Sequence, residues 1–345
     1  MTKLIIVILM TLFCAPQSFS SQLPAAKVQQ TNQGEIDVRV APFVDLYYFI
    51  SALASGSEKP PEIDGFAQAV EAARPLRFAP RLINIVVIRC DNASDAARVF
   101  AQLPETVKVG AGQTLLLREK AVNLAKALAV IEKPFLEKIW PQHKLIINQA
   151  AASISKTFKP KEQECFAYIT KNLGMQNVAY KVPVYLVADA PLPGGFTFRQ
   201  DDGSGVCLIS VERNKGSLLF ETLLHEAIHA LDLEAKGNGN VLIDIRNRLL
   251  KAGITERDPD MRNVPHTLMF IQAAETVRRL LDSSHKHYGD VSGYYAKVPL
   301  IAKIERPIWI DYLDGKISRE KALNQIVDEF LKARAGLASP KTPAL

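Results

Sequence analysis

Hydrophobic and polar positions between residues 36 and 160 predict a mainly helical N-terminal region. Residues 36–54 first alternate between apolar and polar and then follow a helical spacing. A polar break rich in Pro and Gly ends this segment at residues 55–65. Residues 93–103 and 114–158 are again mainly helical in pattern. We therefore expect helices to build most of this region.

Two features of the same region set the expected limits of its elements. The run RLINIVVIRC at 81–90 is β-branched and apolar, which favours a buried strand, although a helix remains open for so short a run. Three prolines, Pro134, Pro141 and Pro160, are expected to divide or end the helices because proline lacks the backbone N–H and clashes with the preceding turn.

From residue 161 the pattern becomes mixed. A helix is predicted over Glu162–Leu173, closed by Gly174, and strands are predicted over Lys181–Ala188 and Gly205–Val211. A long apolar helix without Pro or Gly follows over Ser217–Glu234. Further helices are expected at about 240–251, 266–282 and 299–335. Because no alternating series of strands and helices is visible, the predicted fold class is α+β, predominantly helical, with a small sheet before the helix at 217–234.

The same pattern of hydrophobic and polar positions gives the expected organisation of residues 21–345. Residues 21–35 are polar and weakly patterned and are predicted to be flexible. The helical region at 36–160 precedes a catalytic region at 161–335, and residues 336–345 are predicted to be a disordered tail.

The first twenty residues have the pattern of a secretory signal peptide. Lys3 precedes an apolar run from Leu4 to Phe13, and small or polar residues follow, with cleavage expected before Ser21. The apolar run is too short to span a bilayer comfortably, so no stable membrane span is expected. These features predict a cleaved signal and export to the periplasm or the extracellular space, and an uncleaved anchor is the alternative.

Composition adds few constraints. The net charge of +6 is scattered, and no Lys/Arg run interleaved with aromatic residues is present, so nucleic-acid binding has little support. The cysteines that follow the predicted signal, Cys90, Cys165 and Cys207, match no cysteine-based zinc site and form no disulfide framework. We expect them to be small buried side chains.

The segment HEAIH, within the apolar helix, carries the strongest chemical signal. His225 and His229 are four residues apart and therefore lie on one helical face, where both rings can reach a shared zinc ion. Glu226 lies to one side, where it can reach a water molecule beside the metal. The alternative is an ordinary core helix whose histidines form hydrogen bonds with the backbone. The pattern favours zinc-assisted hydrolysis.

A third zinc ligand must come from elsewhere in the chain. Glu275 lies on an otherwise apolar helical face, where a carboxylate is costly unless it is paired or ligated. It is our predicted ligand, and the alternative is a salt bridge with Arg278 or Arg279. Asp232 shares a face with the two histidines of the motif and is a candidate acceptor that orients an imidazole.

HEAIH resembles the zinc-binding helix of the zincin metallopeptidases. The resemblance implies that His225 and His229 are zinc ligands and that Glu226 is the catalytic glutamate. The following residues, ALDLEAKGN, lack the Gly and His of the metzincin extension, so the segment is more similar to the gluzincin branch, in which a glutamate of a later helix completes the site. Glu275 fits that position, but Arg279 stands where many gluzincins carry an acidic residue.

These features together predict an exported zinc-dependent peptidase that acts on a peptide or protein substrate, with Glu226 as the general base. By analogy with zincins, the strand at 205–211 is expected at a sheet edge, where it would pair with extended substrate. A non-catalytic exported binding or assembly protein on the same scaffold, and a zinc hydrolase of non-peptide amides, remain alternatives.

The donor for a developing oxyanion is less well defined by the sequence. His266, Tyr294 and Tyr295 are the candidates, and ordinary packing roles remain open for each. His285 and His287 alternate in SSHKHYGD and are predicted to lie on an exposed loop.

Overall fold

The computed structural model describes residues 34–56, 59–109, 113–175, 180–191, 193–234 and 240–338. The predicted signal peptide, most of the segment predicted to be flexible and the end of the predicted tail lie outside these residues. Within the described residues, no helix is both long and apolar enough to cross a membrane. The fold is α+β and mostly helical, as predicted.

A four-stranded mixed sheet lies at the centre of the fold, and a separate two-stranded hairpin accompanies it. The strands are β1 (Gly34–Arg39), β2 (Val107–Val109), β3 (Gln113–Leu115), β4 (Tyr180–Val187), β5 (Gly195–Arg199) and β6 (Gly205–Ser210). The order in the larger sheet is β1-β4-β6-β5, with β1, β4 and β6 parallel and β5 antiparallel to β6. The predicted strands at 181–188 and 205–211 are therefore confirmed. The expectation that the second of them lies at a sheet edge is wrong, because β5 is the edge strand and covers it.

Among the described residues, the first six α-helices lie between β1 and residue 153. They are α1 (Pro42–Ser55), α2 (Phe66–Ala73), α3 (Pro80–Val87), α4 (Ala93–Phe100), α5 (Leu117–Lys138) and α6 (Trp140–Ser153). The predicted strand at 81–90 is wrong, because this run forms α3. Pro80 starts that helix, and Ile83 and Val87, one helical turn apart, are both buried in the core. α5 continues through Pro134, whereas Pro141 lies in the first turn of α6.

Eight helices follow. They are α7 (Glu162–Leu173), α8 (Ser217–Glu234), α9 (Val241–Lys251), α10 (Asp260–Leu280), α11 (Tyr288–Val291), α12 (Tyr294–Lys297), α13 (Pro299–Leu313) and α14 (Arg319–Ala338). Gly174 ends α7 with a left-handed backbone (φ 69°), as predicted. The predicted single helix at 299–335 is two helices separated by a turn that contains Gly315 (φ 75°). α10 begins before Pro265 rather than after it, so His266 lies inside a helix.

Both faces of the sheet are buried. Along β6, Cys207 and Ile209 pack into one hydrophobic cluster with the C-terminal helices, whereas Val206 and Leu208 pack into a second cluster with the N-terminal helices. This alternation follows from the two-residue period of a strand. β1 includes residues 34 and 35, which were predicted to be flexible, so that prediction is wrong for these two residues. The rest of β1 belongs to the predicted N-terminal region and pairs with β4, so the two predicted regions share one sheet.

Candidate metal centre

The HEAIH segment lies in the middle of α8, which packs against β5 and β6 on one side and α10 on the other. His225 is 4% exposed, and its ring centroid lies 4.8 Å from that of His229. The four-residue spacing has therefore placed both imidazoles on one face, as predicted.

A third histidine completes the group from α10. Nε2 of His266 lies 3.2 Å from Nε2 of His225, and one ring nitrogen from each of His225, His229 and His266 lies within 4.8 Å of the others. Two nitrogens bound to one tetrahedral zinc ion at ~2.1 Å would be roughly 3.4 Å apart. The three side chains can therefore hold a metal ion.

The electrostatic state of these rings also suits a metal. Burial, followed by the charges of the neighbouring histidines, holds the pKa of His225 well below its usual range. Burial likewise lowers the pKa of His229 to about 4 and that of His266 to about 3. All three imidazoles are therefore neutral near pH 7, which is the form that binds metal ions.

Two further observations test whether a cation fits this group. Unprotonated Nε2 atoms of His225 and His266 would repel each other at 3.2 Å, and either a proton or a cation between them removes that repulsion. Nδ1 of His225 is buried without a hydrogen-bond partner. When Nδ1 carries the ring proton, Nε2 is left free to bind a metal, so the donor set fits a metal ion.

Glu226 lies beside the histidines and lines the same cavity, which has a volume of about 330 Å³. The hydroxyl of Thr197 on β5 donates a 2.6 Å hydrogen bond to Oε2 of Glu226. A Cβ atom at Gly195 would come within 2.8 Å of Oε1, so glycine is needed where β5 passes the carboxylate. Burial raises the pKa of Glu226 to about 7 despite the hydrogen bond from Thr197, which suits a group that takes up and releases a proton.

Glu275, the predicted third ligand, lies in an ion-pair network away from this group. Its carboxylate accepts hydrogen bonds from Arg278 and Arg279 and contacts Nε2 of His287 at 3.0 Å. Nine residues of helix, about two and a half turns, separate it from His266, so the two side chains lie on opposite faces of α10. The structure therefore groups His266, rather than Glu275, with His225 and His229, and the ion-pair alternative for Glu275 describes its contacts.

We expect Glu275→Gln to destabilise the fold by about 3 kcal/mol at neutral pH, because it removes the buried carboxylate that pairs with Arg278 and is one of the two acidic partners of Arg279. Burial raises the pKa of Glu275, but the bonds from His287, Arg278 and Arg279 outweigh it and lower the pKa from 4.5 to about 2. The charged form is thus favoured by folding. The stability that it supplies is fully present above pH 4.5 and is lost as the pH falls toward 2.

Urea unfolding of both proteins between pH 2 and pH 7 measures this difference. Glu320→Gln is the matched control, since Glu320 pairs with Arg248 at an exposed site and is expected to contribute little. A constant difference between wild type and Glu275→Gln across this pH range would contradict the prediction.

The two tyrosines predicted as oxyanion donors have other partners. The Tyr294 hydroxyl lies 3.2 Å from Nδ1 of His266 and 3.2 Å from the Thr267 hydroxyl. The Tyr295 hydroxyl lies 3.2 Å from Nδ1 of His287. Neither tyrosine is among the side chains that line the cavity, and His266 belongs to the metal group. Tyr294 instead orients the ring of His266.

Tyr294→Phe should lower metal affinity about tenfold, because it removes the partner that fixes the ring and tautomer of His266. Competition with a chromophoric chelator measures this affinity. Tyr295→Phe is the matched control, and its metal affinity should be unchanged. Equal losses in both variants would show that Tyr294 acts only through packing.

Two other sequence-based expectations differ from the structure. Asp232 accepts hydrogen bonds from Asn240 and Arg246 rather than from an imidazole, although it lines the cavity. His285 and His287, predicted to be exposed, are 6% and 2% exposed. Nε2 of His285 lies 2.6 Å from a buried carboxylate oxygen of Glu221, the residue one turn before His225 on α8.

Three cavity residues carried no recognisable signal in the sequence. The Tyr288 hydroxyl donates a hydrogen bond to the backbone carbonyl of Pro193, and its ring stacks on Phe270. Phe270 in turn stacks on His225, with ring centroids 3.9 Å apart. The contact between Thr197 and Glu226 depends on the position of β5 beside α8, which the sequence does not reveal.

No protein-family model, curated protein or solved structure was found to match this chain.

Proposed function

We propose that this protein is a zinc-dependent peptidase with a zincin-like catalytic helix. The observation that carries the proposal is the convergence of three neutral histidines beside a buried glutamate in one cavity. His225, His229 and His266 would hold the zinc ion, so the site differs from the gluzincin pattern in its third ligand. Three protein ligands leave a coordination position open, as in catalytic rather than structural zinc sites.

A bound zinc ion would act as a Lewis acid toward the carbonyl group and lower the pKa of a water molecule toward neutrality. Within the protein, Glu226 takes the proton from the attacking water and passes it to the leaving amine. Thr197 holds one oxygen of Glu226, which leaves Oε1 available for the water. The aromatic side chains of Phe270 and Tyr288 form part of the cavity wall.

The position of β5 favours a peptide as substrate. This strand is at the edge of the larger sheet, and Gly195, Phe196 and Thr197 line the cavity. An edge strand offers backbone N–H and C=O groups to an extended chain. A peptide laid along β5 would have its backbone beside Glu226 and the three histidines.

Metal analysis and hydrolysis assays on the purified protein test the proposal. We expect about one zinc ion per chain and cleavage of peptides that stops on chelation and returns with zinc. Bound zinc without cleavage of any member of a diverse peptide library would support a binding protein on this scaffold. Cleavage of simple amides but not of peptides would support a zinc hydrolase of non-peptide amides. Absence of bound zinc would contradict both hydrolases and would favour the non-catalytic binding protein.

A further inference from the structure

A second cavity, larger than the first, lies beside the metal centre. Its volume is about 530 Å³, against about 330 Å³ for the cavity that holds the motif. Its walls come from α1, from the turn at Arg74–Phe78 and from α3, and it is closed by residues next to β5. Phe196 on β5 lines both cavities, so the two spaces adjoin across the edge strand.

The two cavities differ in charge. Glu221, Glu226 and Asp232 line the metal cavity, and no Lys or Arg is among the described residues that line it. Arg77 and Arg213 line the second cavity, and no Asp or Glu is among the described residues there. A substrate that extends from the metal cavity into the second cavity would place its distal part beside these arginines.

The two arginines are not equivalent. Arg213 forms an ion pair with Asp189 at 2.9 Å and donates to the carbonyl of Ala190, so much of its charge is compensated. Arg77 lies over the ring of Phe78, with no acidic partner among the residues that the structure describes. It is therefore the available cation.

The wall also contains a polar group without a partner. Tyr48 lines the second cavity and is 1% exposed, yet its hydroxyl forms no hydrogen bond. Its neighbour Tyr47 shows the usual arrangement, with its hydroxyl donating to Asn84. A buried hydroxyl without a partner costs free energy, and at the wall of a cavity a ligand can supply the missing acceptor.

We infer that the second cavity binds a carboxylate-bearing apolar segment of the substrate, with Arg77 and Tyr48 as its specificity-determining residues. The aromatic and small apolar walls accept an apolar side chain, and the guanidinium and hydroxyl donate to the carboxylate. The carboxylate is either the C-terminus of the peptide or an acidic side chain. This inference rests on the proposed peptidase function, and it gives the N-terminal helical region a role in substrate selection.

Binding of labelled peptides to the zinc-loaded Glu226→Gln variant tests this inference without requiring turnover. Three peptides share an apolar sequence: one has a free C-terminus, one is C-terminally amidated, and one is amidated with an added glutamate. We expect the first or the third to bind about tenfold more tightly than the second, because a charge-assisted hydrogen bond contributes on that scale. The tighter of the two identifies the source of the carboxylate. Equal affinity for all three would overturn the inference.

Substitutions in the same background identify the donors. Arg77→Gln should abolish the preference for the carboxylate, whereas Arg74→Gln, at an exposed position on the same turn, should keep it. Tyr48→Phe should weaken binding without lowering thermal stability, because the hydroxyl has no partner to lose. Tyr168→Phe is its control, since Tyr168 also has an unpartnered buried hydroxyl but does not line the cavity. Unchanged binding in Arg77→Gln and Tyr48→Phe would overturn the inference.

The outcome is separable from that of the proposed function. Carboxylate-dependent binding with no cleavage by the wild-type protein would leave the cavity assignment standing and remove the peptidase. Peptide cleavage at a rate that does not depend on the carboxylate would support the peptidase and remove the cavity assignment.

Discussion

Glu226→Gln is expected to keep its zinc and to lose between about a hundredfold and ten-thousandfold in kcat, the range usual for a lost general acid or base. Glutamine has nearly the same shape and can still accept the hydrogen bond from Thr197, so the fold around β5 should be retained. It cannot take a proton from water. The measurements are zinc content by atomic spectroscopy and the initial rate of peptide cleavage.

Asp232→Asn provides the matched control for this experiment. Asp232 lines the same cavity but is held by Arg246 and Asn240, so its replacement should change kcat by only a few-fold. If Glu226→Gln retained full activity, the general-base role would be wrong. If it lost zinc as well as activity, Glu226 would be acting as a ligand.

His266→Ala is expected to weaken zinc binding by more than a hundredfold, which is beyond the loss caused by removing an outer-shell partner of a ligand. His225 and His229 would then be the remaining protein ligands, and two histidines on one helix bind zinc only weakly. Activity should fall in parallel because the metal is lost. Affinity is measured by competition with a chelator at fixed pH.

Glu275→Gln distinguishes this arrangement from the gluzincin pattern. With His266 as the third ligand, Glu275→Gln should bind zinc as tightly as the wild type while losing stability. The opposite result, zinc lost in Glu275→Gln and kept in His266→Ala, would contradict the site described here. Circular dichroism on both variants separates loss of metal from loss of fold.

The part of the site that the sequence predicted is the part determined by local geometry. His225, Glu226 and His229 belong to one helix, and helical periodicity alone places the two imidazoles together. The apolar surroundings of Glu275 correctly indicated that its carboxylate needs a partner. They could not identify that partner, because Arg278, Arg279 and a zinc ion all satisfy the same requirement.

The position of the third histidine depended on tertiary structure. The sequence predicted a helix at about 266–282, which places the imidazole of His266 at its beginning. The helix instead begins at Asp260, which places His266 in its second turn, where its Nε2 contacts His225 of α8. The strand prediction for the apolar run at 81–90 was wrong for a related reason. A short apolar segment fits either a strand or a buried helix, and packing of α3 in the N-terminal cluster decided between them.

The loop between α10 and α11 has a consequence for how the centre is assembled. His285 contacts Glu221 of α8 at 2.6 Å, and His287 contacts Glu275 of α10 at 3.0 Å. These buried contacts attach one short segment to both helices that carry the imidazoles. These contacts hold the two helices together without an ion. We therefore expect the three imidazoles to have the same arrangement in the metal-free protein. The proposed binding of zinc would then not be coupled to folding, in contrast to zinc-finger domains, which unfold when a chelator removes their ion.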